Sequence, residues 1–495
     1  MKRLSQTLAF AALCCLALEA VAQQGNYVLG LEGWGGYTSN GTVPFWLRSN
    51  QYGSVPLDGA SLSLIGFARK DFEAGKEKLF DWGASFEGRA NLGQGSSLTL
   101  IEGYGKVRLG IFELRAGRSK KITGLCDTTL SSGSWSISGT NLGIPEVELS
   151  VRDFWTIPWF GELFAFKGNF SHGWMGDVQM RRWFDDSDTV LIKTYLHQKS
   201  FYGRFGKPSW KVKVFGGFNH QVTWGNESDF YTRDFYLSPI ETFGYILTGK
   251  RYNSGFIEQT RLGNHIGTID FGLEYQFKAA SIFIYRQNLY DAGALSRLAN
   301  IQDGLNGFRI INKSSDNKLF RWNKILVEFL YTANQAGETW SPEYGSLYEG
   351  YYNHGEYVEG WSYKSKGLGT PFISTLNEVR SGLPSAPEEY FINNRVVVLH
   401  CGFEGAIGVV NYSLKASFSE NYGTYYTTDE GQSTGLPDPG SYGLFGIQRQ
   451  VSALLEVNRN IAERINIGLV GAFDSGSLLS NSSALFIKAS YKFDY

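Results

Sequence analysis

Read in steps of two, the stretch ALFIKASYKFDY divides cleanly. Leu485, Ile487, Ala489, Tyr491, Phe493 and Tyr495 form one set, and Phe486, Lys488, Ser490, Lys492 and Asp494 the other. A strand sends successive side chains to opposite faces, so the spacing predicts one apolar face and one largely polar face. The alternation recurs. In DWGASFEGRANL, Trp82, Ala84, Phe86, Ala90 and Leu92 oppose Asp81, Ser85, Glu87, Arg89 and Asn91. In WKVKVFGGFNHQVTW, Val212, Val214, Phe218 and Val222 oppose Lys211, Lys213, Asn219 and Gln221. TIDFGLEYQFK, NYSLKASFS and RINIGLVGAFD repeat it.

Segments of about ten alternating residues are long enough to cross a bilayer as tilted strands. About eighteen run from Tyr27 to Tyr495. Tight turns are expected near Gly110 and between Gly405 and Gly408, and long loops at 225–262, 290–320 and 335–394. Short turns on one rim and long loops on the other is the asymmetry of outer-membrane barrels. A short helix is expected in GALSRLANIQDGLNG. A soluble β-sandwich or propeller also alternates. However, the polar faces here carry Lys, Arg, Asp and Glu, aromatic residues such as Trp155, Trp159, Phe160, Trp174, Trp210 and Trp224 cluster at segment ends, and no 40-residue repeat supports a propeller. The expected fold is therefore all-β: a transmembrane antiparallel β-barrel of about 18 strands with a short N-terminal plug segment and long extracellular loops.

Composition agrees. Aromatics make up 15 % of the 495 residues and charged residues 19 %, with 60 Gly and 12 Pro. The 46 basic and 47 acidic residues nearly balance, which gives no support to nucleic-acid binding. Residues 1–22 read as a secretory signal: Lys2 and Arg3, a short apolar run, then Ala20, Val21 and Ala22 before a cut at Gln23. Leu13 before Cys14 is too large for a typical lipoprotein site. The chain thus divides into a signal peptide (1–22), a plug and first-strand segment (23–60) and the barrel (61–495), exported to the cell outer membrane. No mature segment approaches 18 consecutive apolar residues, which excludes a membrane helix but not a barrel. Cys126 and Cys401 either pair or remain free thiols, and no Cys/His spacing suggests a metal.

Several stretches resemble the capsule assembly protein Wzi family of outer-membrane proteins. They are GTVPFWLRSNQYG, LRAGRSKK followed by LSSGSWSIS, FSHGWMGD, YLHQKSFYGRFG and GFNHQVTWG, in order over about 200 residues. The resemblance implies an eighteen-stranded barrel with a plugged lumen, acting as a lectin that attaches and helps assemble capsular polysaccharide at the cell surface. Described family members also carry an N-terminal helical bundle. The short segment before the first long strand pair departs from that, and only PFWLRSNQYG looks helical or plug-like. A terminal strand with alternate apolar residues resembles the signal read by barrel-insertion machinery, and outer-membrane lipid is the other expected partner. A porin or solute channel is the alternative function.

Catalytic chemistry finds little footing. There are six His and no G-x-S-x-G motif. His172 and Asp177 of HGWMGD make an acid–base pair only in imagination, and a structural or rim role fits better. No enzyme activity and no cofactor is expected. Sugar binding suits the residue supply, since aromatic rings meet sugar C–H faces while polar groups fix hydroxyls. On the plug, Trp46 and Arg48 lie beside Asn50 and Gln51; Phe45 and Trp46 equally suit packing against the wall. On faces read as inward, Arg115 (with Arg118 just beyond the end of its strand), Lys193, His197 and Lys199 join Lys106, Arg108, Lys211 and Lys213. They form either a positive sector for a uronate-bearing polymer or a charge lattice with Glu87, Glu102 and Glu113. His220 and Trp224 fall in outward phase as girdle residues, whereas Asn219 and Gln221 point to the lumen.

Overall fold

The structure, a computed structural model, describes residues 27–73, 78–93, 96–182, 185–231, 233–255, 257–291, 293–314, 319–337, 340–341, 345–346, 348–387, 389–429 and 440–494. The expected signal peptide and Tyr495 lie outside the described residues.

Eighteen antiparallel strands form one closed sheet. In chain order they are β1 (Tyr27–Thr38), β2 (Ala60–Lys70), β3 (Phe80–Gly93), β4 (Ser97–Leu109), β5 (Phe112–Arg118), β6 (Glu146–Thr156), β7 (Phe164–Arg182), β8 (Asp185–Phe205) and β9 (Val212–Trp224). They continue as β10 (Asn264–Gln276), β11 (Ala280–Tyr290), β12 (Gly304–Asn312), β13 (Phe320–Tyr331), β14 (Val396–Ile407), β15 (Val410–Asn421), β16 (Gln448–Ala462), β17 (Ile465–Gly476) and β18 (Ser482–Asp494). Each strand pairs with its chain neighbours, and β18 closes the ring on β1 with Leu31 opposite Tyr491 and Gly35 opposite Ile487. Closure leaves no free edge to template aggregation.

The pleat does what the alternation predicts. On β3, Trp82, Phe86 and Leu92 are exposed while Asp81, Ser85, Glu87, Arg89 and Asn91 are buried. On β18, Leu485 and Ile487 face out and Phe486 faces in. Exposed apolar side chains on many strands make a continuous outer belt, a surface of the kind lipid covers. Inside, polar residues pair across the wall, as Ser63 does with Asn91 at 2.6 Å.

The two rims differ. Turns such as 110–111, 277–279, 408–409 and 463–464 occupy one; Gly110 and Gly408 take positive φ there, 60° and 57°, a conformation costly with a Cβ. The other rim carries 39–59, 119–145, 225–263, 291–303, 332–395 and 422–447. The expected 290–320 loop is corrected: β12 splits it, because Phe308 and Ile310 continue the alternation. The helix expected there is only a single 3₁₀ turn, Ala294–Arg297.

Three of these segments turn inward and fill the barrel. In 39–59, one helical turn, α1 (Phe45–Arg48), packs against the wall: the Phe45 amide donates to Asp474 at 2.8 Å and Trp46 Nε1 to Ser417 Oγ at 3.0 Å. In 119–145, Trp135 is fully buried against Tyr351 and Tyr352 of 332–395. Trp361 of that segment donates back to the Ser136 carbonyl at 2.7 Å. Wall carboxylates tie the plug down. Glu328 accepts from Ser131 Oγ and the Ser132 amide, and Asp270 from the Leu125 amide. Burying a strandless backbone is costly unless its polar groups find partners, and the serines of LSSGSWSIS help supply them.

Candidate functional site

The plug separates two chambers. The one toward the short-turn rim, about 530 Å³, is lined by Arg69, Arg115, Lys120, Lys121, Arg152 and Lys167 together with Tyr104, Tyr202 and Asn219. Most of its cations are answered by carboxylates. Arg69 meets Glu87 at 2.5 Å and Glu102 at 3.2 Å, Lys120 meets Glu87 at 2.7 Å, and Arg115 meets Glu113 at 2.5 Å. Lys121 sits between Glu146 and Glu148. Lys167 lies over the Phe154 and Tyr202 rings at 5.2 and 5.3 Å. Through Lys120 on Glu87 and Lys121 on Glu146 and Glu148, these ion pairs join plug to wall.

The second chamber, about 480 Å³, opens at the long-loop rim. Strands β7 and β8 run to 19 and 21 residues and rise above their neighbours. β6 stops opposite Gly173, so the upper edge of β7 has no partner from β6. Segment 355–358 of the long loop fills that edge: the Arg181 amide donates to Glu356 O at 2.8 Å and the Val358 amide to Gln179 O at 3.1 Å. Tyr357 anchors it, donating to Thr223 O at 2.9 Å. This brings Arg181 and Arg182 beside Tyr348, His354, Glu356, Glu389 and Tyr426. His354 Nδ1 lies 2.8 Å from Glu356, and Arg181 Nη1 donates to Gly355 O at 2.8 Å. Two guanidinium groups, two phenols and two carboxylates around an open cavity suit a hydroxylated, anionic ligand: Arg forks read carboxylates, acids accept hydroxyl protons, and rings cover C–H faces.

The sequence candidates scatter. Arg115 and Asn219 share the lower chamber. Asn219 is spent on structure, accepting from Ser136 Oγ at 2.7 Å and donating to Tyr202 Oη at 2.8 Å. Gln221 is buried on the inward face of the same strand. Trp46 is buried in the plug under Phe372 and His400, with Lys415 over its ring. Arg48 binds Glu378 at 3.4 Å, and Arg118 reaches Leu100 O at 3.1 Å and Tyr363 Oη at 3.4 Å.

Lys193, His197 and Lys199 require correction: they point out of the barrel. Phe201 and Phe205, in the same phase on β8, are exposed to the outside, whereas Ile192, Thr194, Leu196 and Gln198 face in and are buried. His220 and Trp224 keep their outward phase, yet protein covers Trp224 rather than headgroups. The helix α2 (Pro239–Thr248) lies over the wall, its Phe243 5.3 Å from Trp224 and 5.6 Å from His197. His172 belongs to the same aromatic packing, against Trp174, Tyr195 and Trp224.

Cys126 is buried in the plug and Cys401 is exposed on the outside of β14, so the wall separates them and both are free. Burial pushes the Cys126 thiol well above its usual range. Among the described residues, no group of three His, Cys, Asp or Glu gathers as metal ligands would. Apart from Arg181 and Arg182, the upper-chamber residues escaped the sequence reading because they sit in loops. The signal available was YEGYYNHGEY, an aromatic and acidic run inside the longest loop, and the Arg pair at the β7 tip.

The fold and its chambers define a class: a closed eighteen-strand barrel of the outer-membrane type with a filled lumen. No known family model and no curated protein matches the chain. Among solved structures it is similar to Wzi of Escherichia coli, an outer-membrane, carbohydrate-binding β-barrel involved in group 1 capsule assembly. That match has a TM-score of 0.55 and 11 % identity, and covers 98 % of this chain and 87 % of that one. Acinetobacter baumannii OccAB2 matches with a TM-score of 0.44 and 10 % identity over 94 % of this chain and 98 % of that one. At such identities the likeness to Wzi is one of fold.

Proposed function

We propose that this chain is an outer-membrane protein that holds a surface polysaccharide at its long-loop rim and conducts little or no solute. The observation that carries the reading is the plug with an open, arginine- and tyrosine-lined chamber above it. A porin needs a continuous water path, whereas here Trp46, Trp135 and Trp361 occupy the interior. The carbohydrate binding described for Wzi supports the same assignment, as does the resemblance in GTVPFWLRSNQYG and LSSGSWSIS. The apolar belt is the partner of membrane lipid, and β18 the strand that insertion machinery would read. Binding, not catalysis, is the role of the upper chamber.

The test pairs two measurements on purified protein. Planar-bilayer recordings should be nearly silent, and surface polysaccharide from the source cells should bind. Deleting the gene should release polymer that wild-type cells retain. Stable open-pore currents without glycan binding would replace this reading with the channel.

A further inference from the structure

On the outside of the wall, between β8 and β10, the outward positions change character from one row to the next. Phe201 pairs with Phe218 and Phe218 with Ile269, an exposed apolar row in the belt. The next row toward the long-loop rim is Lys199, His220 and Gly267. This is where a bilayer's acyl region gives way to its headgroups, if the long loops face outward.

Loops 225–263 and 291–303 fold back over this second row and border an open cavity of about 390 Å³ against the wall. Lys199, His220, His265 and Arg261 contribute to its lining, with Phe218 and Ile269 on its belt side. The Lys199 ammonium spends one proton on the Leu247 carbonyl and keeps two more donors. The imidazoles are chained. His265 Nε2 donates to Leu262 O at 2.9 Å, so its Nδ1 accepts from His220 Nε2 at 2.9 Å. His220 Nδ1 is then a buried lone pair with no hydrogen-bond partner among the described residues. On the plug side Glu349 draws Arg261 and accepts the Gly293 and Ala294 amides. Both covering loops also expose large apolar side chains, Ile240 on one and Leu298 and Ile301 on the other. In water such residues would be misplaced; at a membrane interface they insert.

We propose that this outer pocket seats the phosphorylated headgroup of an outer-leaflet glycolipid. The phosphate lies against Lys199 and Arg261, and the acyl chains run down the Phe218–Ile269 row. Charge complementarity and continuity with the belt select an amphiphile over a soluble anion: the Lys199 ammonium stands one residue pair from the lipid-facing rings of Phe201 and Phe218.

Native mass spectrometry of the full chain in detergent tests this. The probes are a diphosphorylated, acylated glucosamine disaccharide, its fully dephosphorylated form, and inorganic phosphate. One molecule of the phosphorylated lipid should be retained, roughly thirtyfold more tightly than the dephosphorylated form, since each of the two basic side chains near a membrane surface adds about 1 kcal/mol. Millimolar inorganic phosphate should not displace it. The Lys199→Gln, Arg261→Gln double variant should erase the preference. Equal retention of the two lipids by the wild-type chain, which no folding defect can explain, would overturn the proposal. So would displacement by inorganic phosphate, which marks a free-anion site. Glycan binding at the upper chamber is scored on the same samples, so its failure is read separately.

Discussion

Asp127 holds the 119–145 segment inside the barrel, and removing it should loosen the plug by a calculable amount. Its Oδ1 accepts from the Thr129 amide at 3.0 Å and the Leu130 amide at 2.8 Å, closing a tight turn. The same oxygen meets Lys324 of β13 at 3.1 Å, and Oδ2 meets Arg309 of β12 at 3.3 Å. One carboxylate therefore fixes the turn and joins it to two wall strands. Breaking a buried pair by deleting one partner costs about 3–5 kcal/mol. Here the lower end applies: Lys324 keeps Glu404 at 3.4 Å, and Arg309 is partly exposed.

Asp127→Ala should thus lower the opening free energy of the segment by about 3 kcal/mol, roughly a hundredfold in its opening constant. Hydrogen exchange followed by mass spectrometry reads this directly. Amides of 119–145 should exchange faster by about that factor, while β3 and β18 hold their protection. Bilayer recordings should show transient openings absent from the wild type. Glu328 still grips Ser131 and Ser132, so Glu328→Gln in addition should enlarge both effects. Unchanged exchange in 119–145, or acceleration spread equally over the barrel, would refute the idea that this ion cluster is the local latch.

Acid should act on the same latch. Burial alone would raise the Asp127 carboxyl, but the Leu130 and Thr129 amides and the Lys324 ammonium outweigh it and lower it from 3.8 to about 2. Its contribution is then complete above about pH 4 and fades as pH falls through about 2, so exchange of 119–145 should accelerate only in that window. On the belt, Phe86→Arg puts a guanidinium on an exposed outward position and should cost about 2–4 kcal/mol in urea refolding into vesicles if it lies near the bilayer midplane; a neutral result would place Phe86 outside lipid. At the rim, Arg182→Ala should weaken polysaccharide binding several-fold while Arg115→Gln in the lower chamber leaves it unchanged, as glycan microarray or calorimetric titration would register.

The wall was legible because two different media meet it. Where β3 has lipid on one side and a polar lattice on the other, Phe86 and Glu87 differ as sharply as their surroundings, and polarity reports orientation. On β8 above Phe201 that contrast vanishes. Helix α2 covers the outside, so His197 is buried there as completely as Leu196 is on the inside. Lys193 and Lys199 then look like lumen residues by charge alone. The phase was nonetheless present in the same strand: Phe201 and Phe205 share parity with His197, and a strand without a bulge cannot exchange its faces midway. Parity carried from the lipid-facing end is thus a stronger guide than local polarity wherever a loop returns over the wall. The plug obeys neither signal. LSSGSWSIS alternates like a strand yet pairs with none of the eighteen, because its serines and backbone are satisfied by the partners a lumen provides, such as Glu328, Asn219 and the Gly369 carbonyl. Such a segment has no period of its own to read. The signal available was length: 27 residues between β5 and β6 need somewhere to go, and the barrel encloses a volume large enough to bury Trp135.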